Sequence, residues 1–241
     1  MLQCAKPGIR DWLRLLRVHQ YVKNLLIFVP LLAAHAVHFD TIAQSTIAFI
    51  AFCACASAVY LENDLIDLNA DRAHPSKRRR PLACGQIKLQ QAVVAAPILL
   101  FTSFALALSI SVSFAGVLAV YLLLTSAYSL FIKRKMIADA VTLALLYSIR
   151  VVAGAIATDL VVSEWLLGFS LFVFTSLALV KRFTELTTHL NNNSPGPLNR
   201  NYITSDLPVI AAIAAASALN AITVFALYIF DGVIGYESPI R

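Results

Sequence analysis

Three aspartates, Asp64, Asp67 and Asp71, follow directly on a long apolar stretch, and a burst of cations, Lys77, Arg78, Arg79 and Arg80, follows them. Their i, i+3, i+7 spacing predicts one shared face if the segment is helical. Three un-neutralised carboxylates on one face repel, and no neighbouring apolar surface offsets that repulsion. A hard divalent cation would resolve the conflict. Magnesium takes oxygen ligands, commonly from one or two carboxylates together with substrate phosphates and waters. Asp64, Asp67, Asp71 and the adjacent Asn63 are therefore the candidate metal set. Pro75 and Pro81 break the helix and frame the basic segment as a loop. Lys77 and Arg80 in that loop suit the oxygens of a metal-bound pyrophosphate group. Arg78 and Arg79 are read more simply as topology determinants that meet lipid headgroups. A solvated helix end of mixed charge is the plain alternative, and it explains neither the spacing nor the position.

Two further constellations carry charge into apolar sequence. Tyr128-Ser129 precedes Lys133-Arg134-Lys135, and a tyrosine and Lys133 could reach one phosphate if the helix runs that far. Arg134 and Lys135 read as interfacial stop-transfer cations. Asp139 lies just inside the next apolar run, where an acidic residue is costly and is a functional candidate by default. Arg150 stands three helical turns after Asp139 on the same face, with Tyr147 one turn before it. A mid-membrane arginine needs an anion, either a protein carboxylate or a substrate phosphate. Lys181, Arg182 and Glu185 close the following run, and a Lys181–Glu185 helix salt bridge is a fair structural reading of that group.

The elements that must position these residues are membrane helices. The chain has 241 residues, 59% hydrophobic and 13% charged, with a mean hydropathy of +0.77. Soluble chains carry roughly 25% charged residues. Apolar runs of bilayer-spanning length recur, and lipid leaves the backbone only helical or closed-barrel solutions. Seven spans are predicted, at 21–38, 43–61, 89–109, 112–132, 137–157, 163–181 and 208–230. All of the 19 Lys and Arg except Arg150 and Arg241 fall before or at the start of the first span or in the stretches 62–88, 133–136 and 181–207, all on one side. The opposing connections near 35–42, 110–112 and 158–163 contain none. By the positive-inside rule the amino terminus and the basic loops are cytoplasmic in the cell membrane, an inner membrane where there are two.

Residues 1–20 read as a basic amphipathic interfacial segment, with Lys6, Arg10, Arg14 and Arg17 facing anionic headgroups and Trp12, Leu13, Leu15 and Leu16 available for the interface. No cleavable signal peptide is evident. Cys4, Cys53, Cys55 and Cys84 show neither metal spacing nor a disulfide framework. Cys53 and Cys55 are expected to pack within a span. His19 and His74 lack metal-ligand companions. No phosphate-binding glycine loop, nucleophile elbow or nucleic-acid module is present.

The pattern Asn63-Asp64-x-x-Asp67-x-x-x-Asp71, followed by Lys77, Arg80 and Pro81, resembles the first aspartate-rich motif of the UbiA superfamily of intramembrane prenyltransferases. The run Leu16-Arg17-Val18-His19-Gln20-Tyr21-Val22-Lys23-Asn24 is similar to the opening of its decaprenyl-phosphate phosphoribosyltransferase branch. So are Tyr128-Ser129 through Lys133 and Asp139, Arg150-Val-Val-Ala153-Gly154, and Lys181-Arg182-x-x-Glu185-Leu186. The resemblance implies an all-α transmembrane bundle, residues 21–241, with a cytoplasm-facing cavity and a magnesium-bound diphosphate. It implies phosphoribosyl pyrophosphate as donor and a polyprenyl phosphate as acceptor, with Lys23 and Asn24 added to the substrate-binding set. Metal-assisted displacement at the ribose anomeric carbon would follow. Lys77, Arg80 and Lys133 would neutralise the departing pyrophosphate, and Arg150, Lys181 and Arg182 would serve the acceptor phosphate or the ribose 5-phosphate. Asp139 would orient a ribose hydroxyl or one of these cations. The same resemblance implies about nine spans against the seven read here, which points to a shortened member. A homo-oligomer is compatible with it.

Three rivals remain open at this level. An aromatic prenyltransferase using a polyprenyl diphosphate needs the same metal site with an aromatic-lined cavity, and usually paired aspartates where only Asp139 stands. A transporter or lipid-binding protein would carry polar residues on both sides of the bilayer. A non-catalytic relic would bind without turnover.

Overall fold

The helix Phe39–Ile66, which ends beside the aspartate-rich motif, is 28 residues long. At about 1.5 Å per residue it extends roughly 42 Å, well beyond a hydrocarbon core of about 30 Å. Its polar end can therefore stand clear of the lipid tails. The computed structural model describes residues 8–135, 137–161, 163–191 and 203–236; Cys4, Lys6 and Arg200 lie outside them, and the side chain of Arg134 is not described. Among the described residues every regular element is helical. They are α1 Ile9–Leu15, a three-ten helix Val18–Phe28, α2 Val29–Ala33, α3 Phe39–Ile66, α4 Leu68–Ala73, α5 Leu89–Ile110, α6 Val112–Leu130, α7 Ala138–Ala157, α8 Glu164–Asn191 and α9 Leu207–Tyr236, with short three-ten turns at Lys77–Arg79, Ile132–Arg134 and Thr204–Asp206.

Six of these segments are long and apolar enough to cross a membrane. They match six of the seven predicted spans. The stretch predicted as a span at 21–38 takes another form. It is the three-ten helix Val18–Phe28 followed by the five-residue α2. A three-ten helix rises about 2.0 Å per residue, so Val18–Ala33 extends about 30 Å, an α-helical span's reach in fewer residues. The last basic stretch also differs. α8 runs on to Asn191, so Lys181, Arg182 and Glu185 sit within a helix and not at its end.

The described residues form two compact units, one of residues 8–126 and 153–160, the other of 127–152 and 161–236. In the first, α3 is the organising element. Its Ala48, Ala51, Cys55, Ala58 and Leu61 are fully buried. α5 buries only Ala92, Ala96, Ser103 and Ala107. Small residues let helix backbones approach closely where lipid supplies no hydrophobic drive. At that approach the Ser103 hydroxyl donates to the Ala51 carbonyl across 2.7 Å. α6 adds rings: Phe114 and Tyr121 lie 6.0 and 4.9 Å from Phe52, centroid to centroid.

The three-ten segment runs antiparallel to α3. Side chains at i and i+3 eclipse in a three-ten helix, so Tyr21, Asn24 and Ile27 line one face, and Asn24 and Ile27 are buried. Tyr21 bonds Ser57 at 2.8 Å, Asn24 donates to Cys53 Sγ at 3.2 Å, and the Phe28 ring meets Phe49 at 5.9 Å. Cys53 and Cys55 are buried, as packing residues.

Half of the predicted interfacial segment turns inward. Leu15 is 1% exposed in a core with Leu61, Leu82, Ile87, Ala92 and Ala96, and Trp12 and Leu16 pack on it. Burying these side chains against the basic loop removes their apolar surface from water. Ile9, Arg10, Leu13 and Arg14 remain exposed.

In the second unit α8 and α9 form an antiparallel pair. Phe169 meets Phe225 at 6.0 Å and Ser176 donates to the Ala214 carbonyl at 2.9 Å. Ala140, Ala178, Leu179, Leu186, Ile210 and Ala214 form its core.

Gly154 marks a close backbone approach in the first unit. A Cβ there would stand 2.0 Å from the Ile27 carbonyl oxygen. A helical Gly→Ala exchange ordinarily gains about 1 kcal/mol. Gly154→Ala is expected instead to destabilise by about 1–3 kcal/mol, the cost of overpacking, because rigid backbone must move. Unfolding midpoints in detergent check this.

Candidate active site

α3 stops at Ile66 with Asp67 as its C-cap, and α4 begins at Leu68. The predicted single helical face is therefore interrupted. Asp64 and Asp71 turn inward, whereas Asp67 is exposed. The chain bends so that the two inward carboxylates converge on one guanidinium. Arg80 Nη1 donates to Asp71 Oδ2 at 2.5 Å and to Asp64 Oδ1 at 3.0 Å. Lys77 Nζ lies 3.8 Å from Asp71 Oδ1.

Arg80 is held there by the loop that carries it. Leu82 and Ile87 anchor that loop in the core beneath α1. The Ile87 N–H returns to the Pro81 carbonyl at 3.2 Å, and Arg72 Nε donates to the Ala83 carbonyl at 3.3 Å. His74 Nδ1 accepts from the Ser76 N–H at 3.2 Å, capping the turn before Lys77.

A fifth member is one that sequence reasoning assigned to the interface. Arg17 Nη2 donates to Asp64 Oδ1 at 2.6 Å, and its guanidinium lies 4.6 Å from the centre of the Tyr60 ring. Arg17 holds left-handed backbone, φ 53° and ψ 44°, sparsely populated for a residue with a Cβ. Such positions persist where the surroundings over-determine them. The available signal was Tyr60, one turn before Asp64 and so on its face. Pairing it with Arg17 requires the antiparallel register of the three-ten segment. Lys23 is half-buried on that segment, and Asn24 is the brace to Cys53.

Burial is divided by charge. The side chains of Asp64 and Asp71 are 5% and 3% exposed; those of Arg17, Arg80 and Lys77 are 25%, 31% and 40% exposed. Among the described residues no three His, Cys, Asp or Glu side chains stand close enough to hold a metal ion together. The donor chemistry nonetheless fits magnesium: two buried hard-oxygen ligands beside cations suited to phosphate, with no all-protein cage required.

The second unit contains a separate ion cluster. Asp139 is 0% exposed, and its Oδ2 lies 2.7 Å from Nε of Arg182, which is 3% exposed. The Tyr128 hydroxyl donates to the other carboxylate oxygen at 2.7 Å. Arg182 Nη1 also pairs with Glu185 Oε2. The cation for Asp139 is thus Arg182 of α8, not the Arg150 that shares its helix face. Glu185 takes Arg182 and not Lys181, which is exposed. Arg150 is buried; it donates to the Leu146 carbonyl and stands 5.6 Å from the centre of the Tyr147 ring, which stacks on Phe174 at 5.0 Å. Lys133 is half-buried in the turn Ile132–Arg134, since α6 ends at Leu130 before reaching it.

The profile of the UbiA prenyltransferase family matches residues 25–237. The chain belongs to the UbiA family. It is 40% identical over 222 residues to the uncharacterized protein y4nM of Sinorhizobium fredii, covering 92% of this chain and 43% of that protein. It is 35% identical over 186 residues to the decaprenyl-phosphate phosphoribosyltransferase of Mycolicibacterium smegmatis, covering 75% of this chain and 58% of the enzyme. The chain thus spans roughly half the length of these two relatives. A UbiA homolog from Archaeoglobus fulgidus bound to GPP and Mg2+ shares the fold, with a TM-score of 0.73 at 17% identity over 90% of this chain and 77% of that one. This UbiA-family chain is a multi-pass membrane protein.

The buried pair gives a stability test. Asp139→Asn leaves Arg182 largely buried beside Glu185 alone, and breaking a buried pair costs about 3–5 kcal/mol. Asp139→Asn combined with Arg182→Gln is expected to recover more than half of that loss. Unfolding titrations of both variants in the same micelles check it.

Proposed function

We propose that this UbiA-family chain carries the site for magnesium-dependent transfer of 5-phosphoribose from phosphoribosyl pyrophosphate to a polyprenyl phosphate of the decaprenyl type, with release of pyrophosphate. The observation that carries the reading is the Asp64–Arg80–Asp71 cluster with Arg17 and Lys77 around it. Two buried carboxylates offer ligands for a hard cation, and the exposed flank of three cations suits a diphosphate. The relationship to a decaprenyl-phosphate phosphoribosyltransferase supports this branch. The distribution of Lys and Arg supports a cytoplasmic amino terminus and cytoplasmic basic loops in the cell membrane.

In the reaction, the bond between the ribose anomeric carbon and the diphosphate oxygen breaks, and a bond to the polyprenyl phosphate oxygen forms. Magnesium, if held by Asp64 and Asp71 with water and diphosphate oxygens completing its shell, would supply charge neutralisation of the leaving pyrophosphate. Arg80, Arg17 and Lys77 bind the diphosphate oxygens and fix the leaving group. The attacking phosphate is already anionic near neutral pH and needs no strong base. The protein must instead hold two anionic substrates together, which is the use of its many cations. Lys133, Lys181 and Arg150 are assigned to the acceptor phosphate or the ribose 5-phosphate. Asp139 and Arg182, with Tyr128 and Glu185 occupying their further positions, brace the helices that carry these cations. Tyr147 shields Arg150.

The test is transfer from labelled phosphoribosyl pyrophosphate to polyprenyl phosphate by purified protein in liposomes. The expected result is a labelled lipid that disappears with EDTA and falls at least about 100-fold in Asp71→Asn, the scale of losing one group that stabilises developing charge. Near-wild-type transfer by Asp67→Asn would remove the exposed aspartate from the metal set. Product formed instead from 4-hydroxybenzoate and a polyprenyl diphosphate would replace this reading with aromatic prenylation.

A further inference from the structure

Resting on the proposed metal–diphosphate site, we infer that Arg17, with Arg80, is a guard on the aspartates that makes binding of metal and of diphosphate depend on each other. Three observations support it. First, Asp64 Oδ1 is shared by two guanidiniums, Arg17 at 2.6 Å and Arg80 at 3.0 Å, and Asp71 Oδ2 is held by Arg80 at 2.5 Å. These same oxygens would ligate a cation. Second, two carboxylates face three cations, since Lys77 adds to Asp71. A bare divalent cation approaching this cluster meets a site that is already more than neutralised. Third, the carboxylates are nearly buried while the guanidiniums are a quarter to a third exposed. An incoming ligand therefore meets the cations first.

An anion can do what a bare metal ion cannot. Diphosphate oxygens bind the exposed guanidiniums and draw them off the carboxylates as a metal ion, arriving with the diphosphate, takes their place. Arginine suits both positions, because its planar fork matches carboxylate and phosphate alike. The exchange trades one charge-assisted set of hydrogen bonds for another, so no bare buried charge has to be created on the way. Tyr60 gives the Arg17 guanidinium a face to rest on in either position. Reciprocity then requires that metal favour diphosphate by the same factor that diphosphate favours metal.

The experiment uses the full chain in nanodiscs of zwitterionic lipid, with Mn2+ standing in for magnesium and read by electron paramagnetic resonance, and pyrophosphate as the anion. Free concentrations are corrected for the Mn2+–pyrophosphate complex formed in solution. Wild type is expected to bind Mn2+ alone weakly, and at least about 10-fold tighter with pyrophosphate present, within the usual range of coupling between sites. Arg17→Gln is expected to bind Mn2+ alone at least about 5-fold tighter than wild type and to lose most of the coupling. Tyr60→Leu keeps the charge of Arg17 and removes its platform; it is expected to shift the same way by a smaller factor, and it stands in if Arg17→Gln does not fold. Independent binding of Mn2+ and pyrophosphate in wild type would overturn the guard while leaving the site reading intact. Coupling unchanged in both variants would remove Arg17 from the role. Failure of wild type to bind Mn2+ even with pyrophosphate would overturn the site reading itself.

Discussion

A carboxylate at the end of an apolar helix must be neutralised or it will not stay charged and buried. Much of the first unit follows from meeting that demand at Asp64 and Asp71. Arg80 reaches both because its loop folds back and is pinned by Leu82 and Ile87 in the small core under α1. Arg17 reaches Asp64 because the three-ten segment lies antiparallel along α3, in a register kept by Tyr21 on Ser57 and Asn24 on Cys53. The apolar contacts of α1 are therefore part of the electrostatics of the site. Turning Leu15 inward sets Arg17, two residues later, against the end of α3.

The three-ten segment answers a second constraint, that of length. A chain that turns at Arg17 beside Asp64 and must reach the far side of the bilayer has the residues up to Ala33 in which to do it. The greater rise of the three-ten helix makes that distance, and its period of three puts Tyr21, Asn24 and Ile27 on one face toward α3. Close packing then falls on Gly154, whose missing side chain leaves room for the Ile27 carbonyl.

These features mark where the sequence was legible and where it was not. The six long helices could be read from apolar runs and cation placement, since lipid admits so few backbone solutions. Asp64 and Asp71 could be read as partners because their spacing survives a break in the helix; Asp67 could not be separated from them, because its exposure depends on the helix stopping one residue earlier. The partner of Asp139 stayed open among Arg150, Lys181 and Arg182 for a related reason. A helix face lists what lies along one element, while Arg182 comes from α8, and nothing in the spacing of α7 shows it. Arg17 was hidden by its neighbours: basic residues before a span are ordinarily topology signals, and only the tertiary register distinguishes this one from Arg10 and Arg14, which stay exposed.

The two ion clusters use the same residue types for different physical ends. Asp139 and Arg182 are both buried, Tyr128 and Glu185 occupy further positions on them, and any exchange of partners would expose an uncompensated charge in a dry setting. Such a pair is a fixed strut. In the cluster around Asp64 and Asp71 only the carboxylates are buried, and each cation keeps an exposed side. Water and anions can reach the guanidiniums without the carboxylates ever being left bare, so partners can be traded stepwise. Accessibility of one charge and burial of its opposite is what separates a site that can accept a charged ligand from one that only holds helices together.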